Sequence, residues 1–536
     1  MRRTTTLIMM VLFGAGRSAH AQQACEGLAA VTLANTTITA ALVAEAAFSG
    51  VAGPGAAARP GPVPAHCEVK GVIRPTRDSE IKFVLWLPAT AAWNGKYRQQ
   101  GNGGWAGVIN TAGLVDPLRR GYAVAATDDG HAAAGLGAAW AIGHPEKLID
   151  FGSRAVHETS VQSKAIVRAF YGRDAGRSYF DGCSDGGREA LMEAQRYPDD
   201  FVGILAGAPA NNWSHLFTGF VWNEQALLMT PGSAIPVAKL PAIQRAVLAT
   251  CDSVDGVKDG LIGDPRACRF DPSVLLCKGA DGDGCLTAPQ LAALTKIYAG
   301  AKNPRTGEQI FPGWPPGTEA VPGSWSAWIT PATPAGAIQF GFGNSYYGDA
   351  VFENPKWDFR TLDFDRDVRV GDAKAGPVLN ATSPDLRSFR AGGGKLIQYH
   401  GWGDAAISAL SSIEYYDSVV AFMAKYPDAR TTGAPPVDDF YRLFMVPGMG
   451  HCGGGAGPNR FGNGGAAPSA DADHDVFTAL ERWVERGVAP ERIIGTGIAA
   501  DDAAKVLTRP LCAYPKRTQY RGGGDVNDAA SFVCAP

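Results

Sequence analysis

The stretch RSYFDGCSDGGREALMEAQRYP, residues 177–198, constrains the fold of this chain more than any other. Arg177 to Asp181 reads as a buried strand, and Gly187 to Arg196 reads as a helix. Between them Gly182-Cys183-Ser184-Asp185-Gly186 leaves room only for a sharp turn, with glycine on both sides relieving the crowding around Ser184. A strand that turns directly into a helix belongs to a layered structure of parallel strands covered by helices.

The same rhythm recurs on either side. CEVKGVIRP and IKFVLWLP, within 67–88, are strand-like and each closes on proline. KYRQQ and YAVAATDDGH continue the strands, and SRAVHETSVQSKAIVRAFYG carries apolar residues at helical spacing. After Asn211-Asn212-Trp213 the texture changes to glycine, proline and aromatic residues without a β-α rhythm. The rhythm returns at KLIQYHGWGD, 395–404, and runs through FYRLFMVPGMGHC and DVFTALERWVERG. The chain therefore reads as an α/β domain, 22–209 with 390–536, interrupted by an inserted domain at 210–389. At 536 residues it is longer than one hydrophobic core usually holds, which suits an insertion.

The N-terminus decides the compartment. Arg2 and Arg3 precede an apolar run from Leu7 to Phe13, and Ala19-His20-Ala21 forms a cleavage site, so residues 1–21 read as a signal peptide cut after Ala21. The run is far shorter than the roughly 20 residues that span a bilayer. Cleavage takes three arginines and no acid, which moves the net charge from −3 to −6. With no basic run, neither a nucleic-acid groove nor a polybasic membrane contact is expected, and no membrane insertion. The protein is expected to be secreted or periplasmic.

Ten cysteines in an exported chain read as disulfides. Local closeness pairs Cys25 with Cys67, Cys251 with Cys268, Cys277 with Cys285, and Cys512 with Cys534. Cys183 and Cys452 have no local partner.

Those two are explained by the chemistry around them. A serine hydroxyl needs a base to take its proton and an acid to orient that base. In Gly-x-Ser-x-Gly hydrolases the acid and then the histidine follow the serine, each on a turn after a later strand. Asp404 follows the strand KLIQYHGWG, and His451 follows FYRLFMVPGMG in a glycine-rich loop. Asp128, Asp129 and Asp181 precede the serine and break the order. With Ser184 and His451 within hydrogen-bond reach, their neighbours Cys183 and Cys452 come close enough to bond. Such a bond, closing about 270 residues, would constrain the unfolded chain by roughly 5 kcal/mol on the loop-entropy model. Cys183 is thus read as a clamp and not as a thiol nucleophile.

Three further features complete the constellation. The N–H of Asp185, at the helix start, is an oxyanion donor, and Gly103 or Gly104 in Gly101-Asn102-Gly103-Gly104-Trp105 is the second. Trp105 and His400 are candidate substrate contacts. In CDSVDGVKDGLIGDPRAC, Asp252, Asp255 and Asp259 with the carbonyls of Val257 and Leu261 offer hard oxygen ligands suited to a structural Ca2+ outside the cell. No organic cofactor is expected.

Together TDDGH (127–131), GSRAVHE (152–158), YFDGCSDGGREALMEAQRYPDDFVGILAGAPANNW (179–213), CDSVDGVKDGLI (251–262), HGWGD (400–404) and VPGMGHCGGG (446–455) resemble the tannase and feruloyl esterase family of α/β-hydrolases. That family also contains the hydrolases of the terephthalate mono-ester. The resemblance, covering about 60–520, implies a catalytic domain with an inserted lid. It also implies a triad at Ser184, Asp404 and His451, a Cys183–Cys452 bond, and calcium at Asp252, Asp255 and Asp259. The expected reaction is hydrolysis of a small aromatic ester through an acyl-enzyme. Residues 306–359 contain no arginine and only Lys356, which favours neutral phenolic acyl groups over a carboxylate-bearing one. The rings of the insert, among them Trp213, Phe217, Trp328 and Phe342, could line a slot for a flat acid. Three rival readings remain: an inactive scaffold that binds aromatic ligands, a peptidase of the same fold, and a calcium-dependent adhesion module. None of the three accounts as well for a complete triad in an ester-hydrolase setting.

Overall fold

In the computed structural model, residues 24–49, 61–133, 135, 137–333, 336–426, 437–464, 469–498 and 505–536 are described. The expected signal peptide lies outside them.

A nine-stranded sheet organises the molecule. Its strands are β1 (Thr36–Val43), β2 (His66–Ile73), β3 (Ile81–Pro88), β4 (Lys96–Gln100), β5 (Ala123–Thr127), β6 (Arg177–Cys183), β7 (Gly203–Gly207), β8 (Lys395–Gly401) and β9 (Tyr441–Val446), in the order β1-β2-β3-β5-β4-β6-β7-β8-β9. The first three and the β3–β5 pair are antiparallel, and from β5 to β9 every pair is parallel. The C-terminal ends of the parallel strands therefore open onto one edge, where open α/β sheets place their sites. β1, which the sequence reading leaves out although five of its eight residues are β-branched, completes the antiparallel edge.

Alternate residues of each central strand serve opposite faces, as the period of two requires. Phe180 and Ile204 pack with Ile166 and Val167 of α1 (Ala155–Tyr171) and Leu191 and Met192 of α2 (Asp185–Arg196). Their neighbours Tyr179 and Leu205 face the other way, against Phe477, Leu480 and Trp483 of an amphipathic helix at 476–486. The sheet is buried on both sides, which explains the nearly unbroken apolar runs in its central strands.

Residues 208–394 lie between β7 and β8 and add no strand to this sheet. A third core holds them together, built from rings: Trp213, Phe217 and Phe220 of α3 (Trp213–Leu228) meet Trp314, and Phe342 and Tyr346 at the end of α4 (Ile338–Ser345). The fold is an α/β-hydrolase sheet with an inserted lid. A C-terminal ribbon, β10 (Arg492–Ile498) with β11 (Val506–Cys512), follows the body.

Candidate active site

Ser184 caps β6 in a conformation that few non-glycine residues adopt, with φ 66° and ψ −119°. Two glycines make it possible. A Cβ at Gly182 would lie 2.5 Å from the Gly186 carbonyl oxygen, and one at Gly186 would lie 2.8 Å from that of Asn102. The turn is fixed by its backbone: Ser184 N–H donates to Gly207 O at 3.0 Å, and Ser184 O accepts from Arg188 and Ala210.

Asp404 follows β8 and His451 follows β9, the second and third strands across the sheet from β6. Ser184 Oγ lies 2.9 Å from His451 Nε2, and His451 Nδ1 lies 2.8 Å from Asp404 Oδ2. Asp404 Oδ1 accepts from the N–H groups of Ala406 and Ile407 at 2.8 and 2.9 Å. Burial alone would raise this carboxyl, but the two imidazoles and their hydrogen bonds hold it well below the usual carboxylate range. It is therefore ionised, and its tautomeric demand on His451 is fixed: Nδ1 carries the proton and Nε2 is free to accept one from serine. The histidine loop approaches β8 so closely that only glycine fits at 401, where a Cβ would stand 2.3 Å from Met449 O. Cys452, in the loop after β9 and three strands across the sheet from β6, is bonded to Cys183 with Cα atoms 5.9 Å apart. The other four disulfides are Cys25–Cys67, Cys251–Cys268, Cys277–Cys285 and Cys512–Cys534.

The glycine-rich loop after β4 docks on the start of α2. Gly186 N–H donates to Asn102 O at 2.9 Å, and Asn102 N–H donates to Glu189 Oε2 at 2.9 Å. The N–H groups of Gly103 and Gly104 engage no acceptor among the described residues, and the space beside Gly103 is open. Asp185 supplies an N–H at the helix start while its own side chain is fully buried, held by Arg188 Nε at 2.5 Å. Burial pushes that carboxyl up to about 7 against the opposing pull of Arg188.

The two expected substrate contacts are placed differently. His400 is fully buried, and both ring nitrogens are engaged. Nε2 lies 3.1 Å from both Asp404 Oδ2 and Ile407 O, and Nδ1 lies 2.7 Å from Ser412 Oγ. It serves the triad acid and presents no surface to a ligand. Trp105 is fully buried too, edge-on to Trp213 and close to Phe151 and Phe217, because the loop that carries it turns into the ring core. The ring that does reach the triad is Trp328, edge-on to His451 with centroids 5.2 Å apart, and Phe342 lies parallel to it at 6.4 Å. Phe342 also faces the glycine-rich loop after β4, 3.3 Å from where a Gly104 Cβ would be.

Three residues of the site escaped the sequence reading. Arg188 is fully buried and spends its guanidinium on Asp185 and on the carbonyls of Gly152 and Phe151. Glu189 and Asp129 lie beneath the glycine loop. Asp129 had figured only as a triad acid excluded by chain order.

In the acidic loop, Asp252 accepts from Asp259 and Gly260 N–H, and Asp255 from Val257 and Gly263 N–H. Asp259 pairs with Arg509 of β11 at 2.7 Å. Among the described residues these three acids do not form a group with all ligand atoms within 4.8 Å, whereas Asp129, Asp185 and Glu189 do. The donor chemistry suits a hard cation all the same: Asp255 and Asp259 share one guanidinium, that of Arg509, and burial with the charge of Asp259 pushes Asp255 up to about 6. Leu261 of this loop abuts the histidine loop, 2.8 Å from where a Gly448 Cβ would be.

Residues 67–535 match the family model for tannase and feruloyl esterase. An uncharacterized esterase of Xanthomonas campestris pv. campestris is 45% identical, over 96% of this chain and 92% of that protein. The mono(2-hydroxyethyl) terephthalate hydrolase of Piscinibacter sakaiensis is 34% identical, over 88% and 85%. The crystal structure of feruloyl esterase B from Aspergillus oryzae superposes with a TM-score of 0.84 at 29% identity, covering 96% of this chain and all of that one. With this fold, this match and this arrangement of serine, histidine and aspartate, the chain belongs to the tannase and feruloyl esterase family and is a carboxylic ester hydrolase.

Proposed function

We propose that the protein is an exported serine esterase for esters of neutral aromatic acids, of the feruloyl or galloyl kind. The observation that carries this reading is the unbroken chain from Asp404 through His451 to Ser184 Oγ. His451 Nε2 takes the hydroxyl proton as Ser184 attacks the ester carbonyl, while Asp404 stabilises the imidazolium that forms. The N–H groups of Asp185 and of Gly103 or Gly104 receive the oxyanion. The imidazolium then protonates the leaving alcohol. Water, deprotonated by the same nitrogen, attacks the acyl-enzyme and releases the acid.

Trp328 and Phe342 supply the wall for a flat acyl ring beside His451. The stretch around them, 306–359, offers no guanidinium for a second carboxylate, which favours phenolic acids. The relative named as a terephthalate mono-ester hydrolase supports that substrate as the second reading. Residues 22–209 and 390–536 form the catalytic unit, and 210–389 the lid that chooses the acyl group.

Calcium in the lid loop, held by Asp252, Asp255 and Asp259 and the carbonyls of Val257 and Leu261, would neutralise the loop's acids and stiffen it beneath the histidine loop. Five disulfides support an oxidising compartment, and no helix among the described residues is long and apolar enough to cross a membrane.

The test is hydrolysis of methyl ferulate, methyl gallate, the terephthalate mono-ester and p-nitrophenyl acetate by the mature protein and by Ser184→Ala. Turnover of the phenolic esters, ahead of the mono-ester and lost by at least about 10⁴-fold in the variant, is the expected result. Equal activity in the variant would remove serine from the reaction, and preference for the mono-ester would establish the second reading.

A further inference from the structure

Beneath the oxyanion loop three carboxyl groups converge with too few donors to serve them. Oxygens of Asp129, Asp185 and Glu189 all lie within 4.8 Å of one another, and the three residues are at most 1% exposed. Asp129 comes from the turn after β5, where it holds φ 57°; the other two belong to α2. Asn102 joins the group to the loop. Its N–H donates to Glu189 Oε2 at 2.9 Å, and its side-chain amide donates to Asp129 Oδ2 at 2.7 Å and to Thr127 O at 3.1 Å. The opposite oxygens, Asp129 Oδ1 and Glu189 Oε1, have no hydrogen-bond partner, and neither does Asp185 Oδ2.

Among the described residues the cation facing them is Arg188, whose guanidinium is spent on Asp185 Oδ1 and two carbonyls. His131, on the same turn as Asp129, gives its Nε2 to Trp105 O, and Asp128 turns its carboxylate to the N–H groups of Lys82 and Gly130. Two bare carboxylates in contact in a dry site repel each other and leave acceptors empty, an arrangement proteins avoid by binding a proton.

We propose that Asp129 and Glu189 share a proton, and that the resulting pair positions Gly103 and Gly104 for the oxyanion by gripping Asn102 at both its backbone N–H and its side-chain amide. The proton serves the oxygens that Asn102 leaves without a partner, Asp129 Oδ1 and Glu189 Oε1, and Asp129 Oδ2 and Glu189 Oε2 remain acceptors for Asn102. Burial and the charges of Glu189 and Asp185 push Asp129 well above the usual carboxylate range, in the direction this requires. These are positioning residues, since neither touches the reacting atoms, and the inference rests on the oxyanion role given to the glycine loop above.

Asparagine at 129 imitates the protonated pair, because its carbonyl accepts from Asn102 and its amide donates to Glu189. The experiment compares wild type, Asp129→Asn and Asp129→Ala for kcat and KM across pH, on whichever ester of the panel is turned over. Asp129→Ala should lower kcat at least about tenfold with KM within about twofold, and Asp129→Asn should restore most of it. The alkaline fall of kcat in wild type should be absent from Asp129→Asn, which has no such proton to lose. An asparagine variant as poor as alanine, an alanine variant with unchanged kcat, or the same alkaline limb in wild type and Asp129→Asn would each overturn the proposal.

A second measurement does not depend on turnover. The difference between infrared spectra of Ser184→Ala with and without Asp129→Asn should contain the carbonyl stretch of one buried protonated carboxyl, beyond the bands of Glu224 and other raised acids that both proteins share. Its absence would refute the shared proton even if the esterase reading stands, and its presence would support it even if that reading fails.

Discussion

The body and the lid each bury an acid, and they treat it in opposite ways. In the body, Asp404 accepts from two backbone N–H groups and two imidazoles and stays ionised. In the lid, Glu224 on α3 accepts only from Asn344, at 3.1 Å; its other oxygen has no partner, and burial pushes the carboxyl up to about 8. The difference lies in what surrounds each group. Strand ends and tight turns bring N–H groups and histidines to one point, whereas a core built from rings offers few donors. A charge survives burial only where the backbone has been arranged to solvate it. The surroundings of Asp404 are thus built to hold charge for chemistry, and the ring core around Glu224 to exclude it.

The same chemical change, acid to amide, tests this contrast at both ends. Asp404→Asn keeps the shape but allows His451 the wrong tautomer, so kcat should fall by about 10⁴-fold on every ester. A fall of less than tenfold, measured on the panel, would show that the carboxylate is not what orients the histidine. Removing calcium should come next in size. Chelation should lower the thermal midpoint in calorimetry, and added Ca2+ should restore it in a concentration-dependent way. An unchanged midpoint would mean that the backbone N–H groups and Arg509 already satisfy the loop acids.

Glu224→Gln should have the smallest effect, and a stabilising one. Between about pH 4.5 and 8 the folded protein keeps a proton on Glu224 that the unfolded chain releases. Wild-type stability is therefore lost as pH rises through that window, and levels off above it. The glutamine variant has no such loss, so its advantage should grow from pH 5 to 8, to the order of 1–3 kcal/mol. Urea unfolding at a series of pH values measures it. A constant difference across pH would mean that Glu224 is charged in the lid after all, and the contrast between the two regions would fail.

The parts of the molecule that were legible in the sequence are those whose geometry is set locally. Gly182 and Gly186 flank Ser184 within five residues, and Asp404 and His451 each follow a strand of readable apolar pattern, so the site could be assembled from chain order. Contacts between distant turns left no such trace. Asp129 and Glu189 are 60 residues apart and meet only because β5 ends at the edge of the sheet where α2 begins. Trp328 stands among many rings in a region without periodicity, and nothing in its neighbours marks it as the one facing His451. His400 and Trp105 erred for a related reason: residue type suggested ligand contact, but exposure depends on where a strand end or loop turns next. β1 pairs along β2 from a stretch rich in β-branched residues, but none of its residues is fully buried and no apolar alternation marks it as a strand of the sheet.

The bond between Cys183 and Cys452 has a topological meaning besides its place next to the triad. It closes residues 183–452 into a covalent ring, and the entire lid lies on that ring. A break in the chain anywhere in the lid opens the ring without separating the serine from the histidine, since the two remain tied through the sulfurs beside them. The insert can therefore be clipped, lengthened or exchanged for another while the catalytic pair stays on one molecule. The insert is free to change, and the serine and histidine that flank it stay fastened to each other.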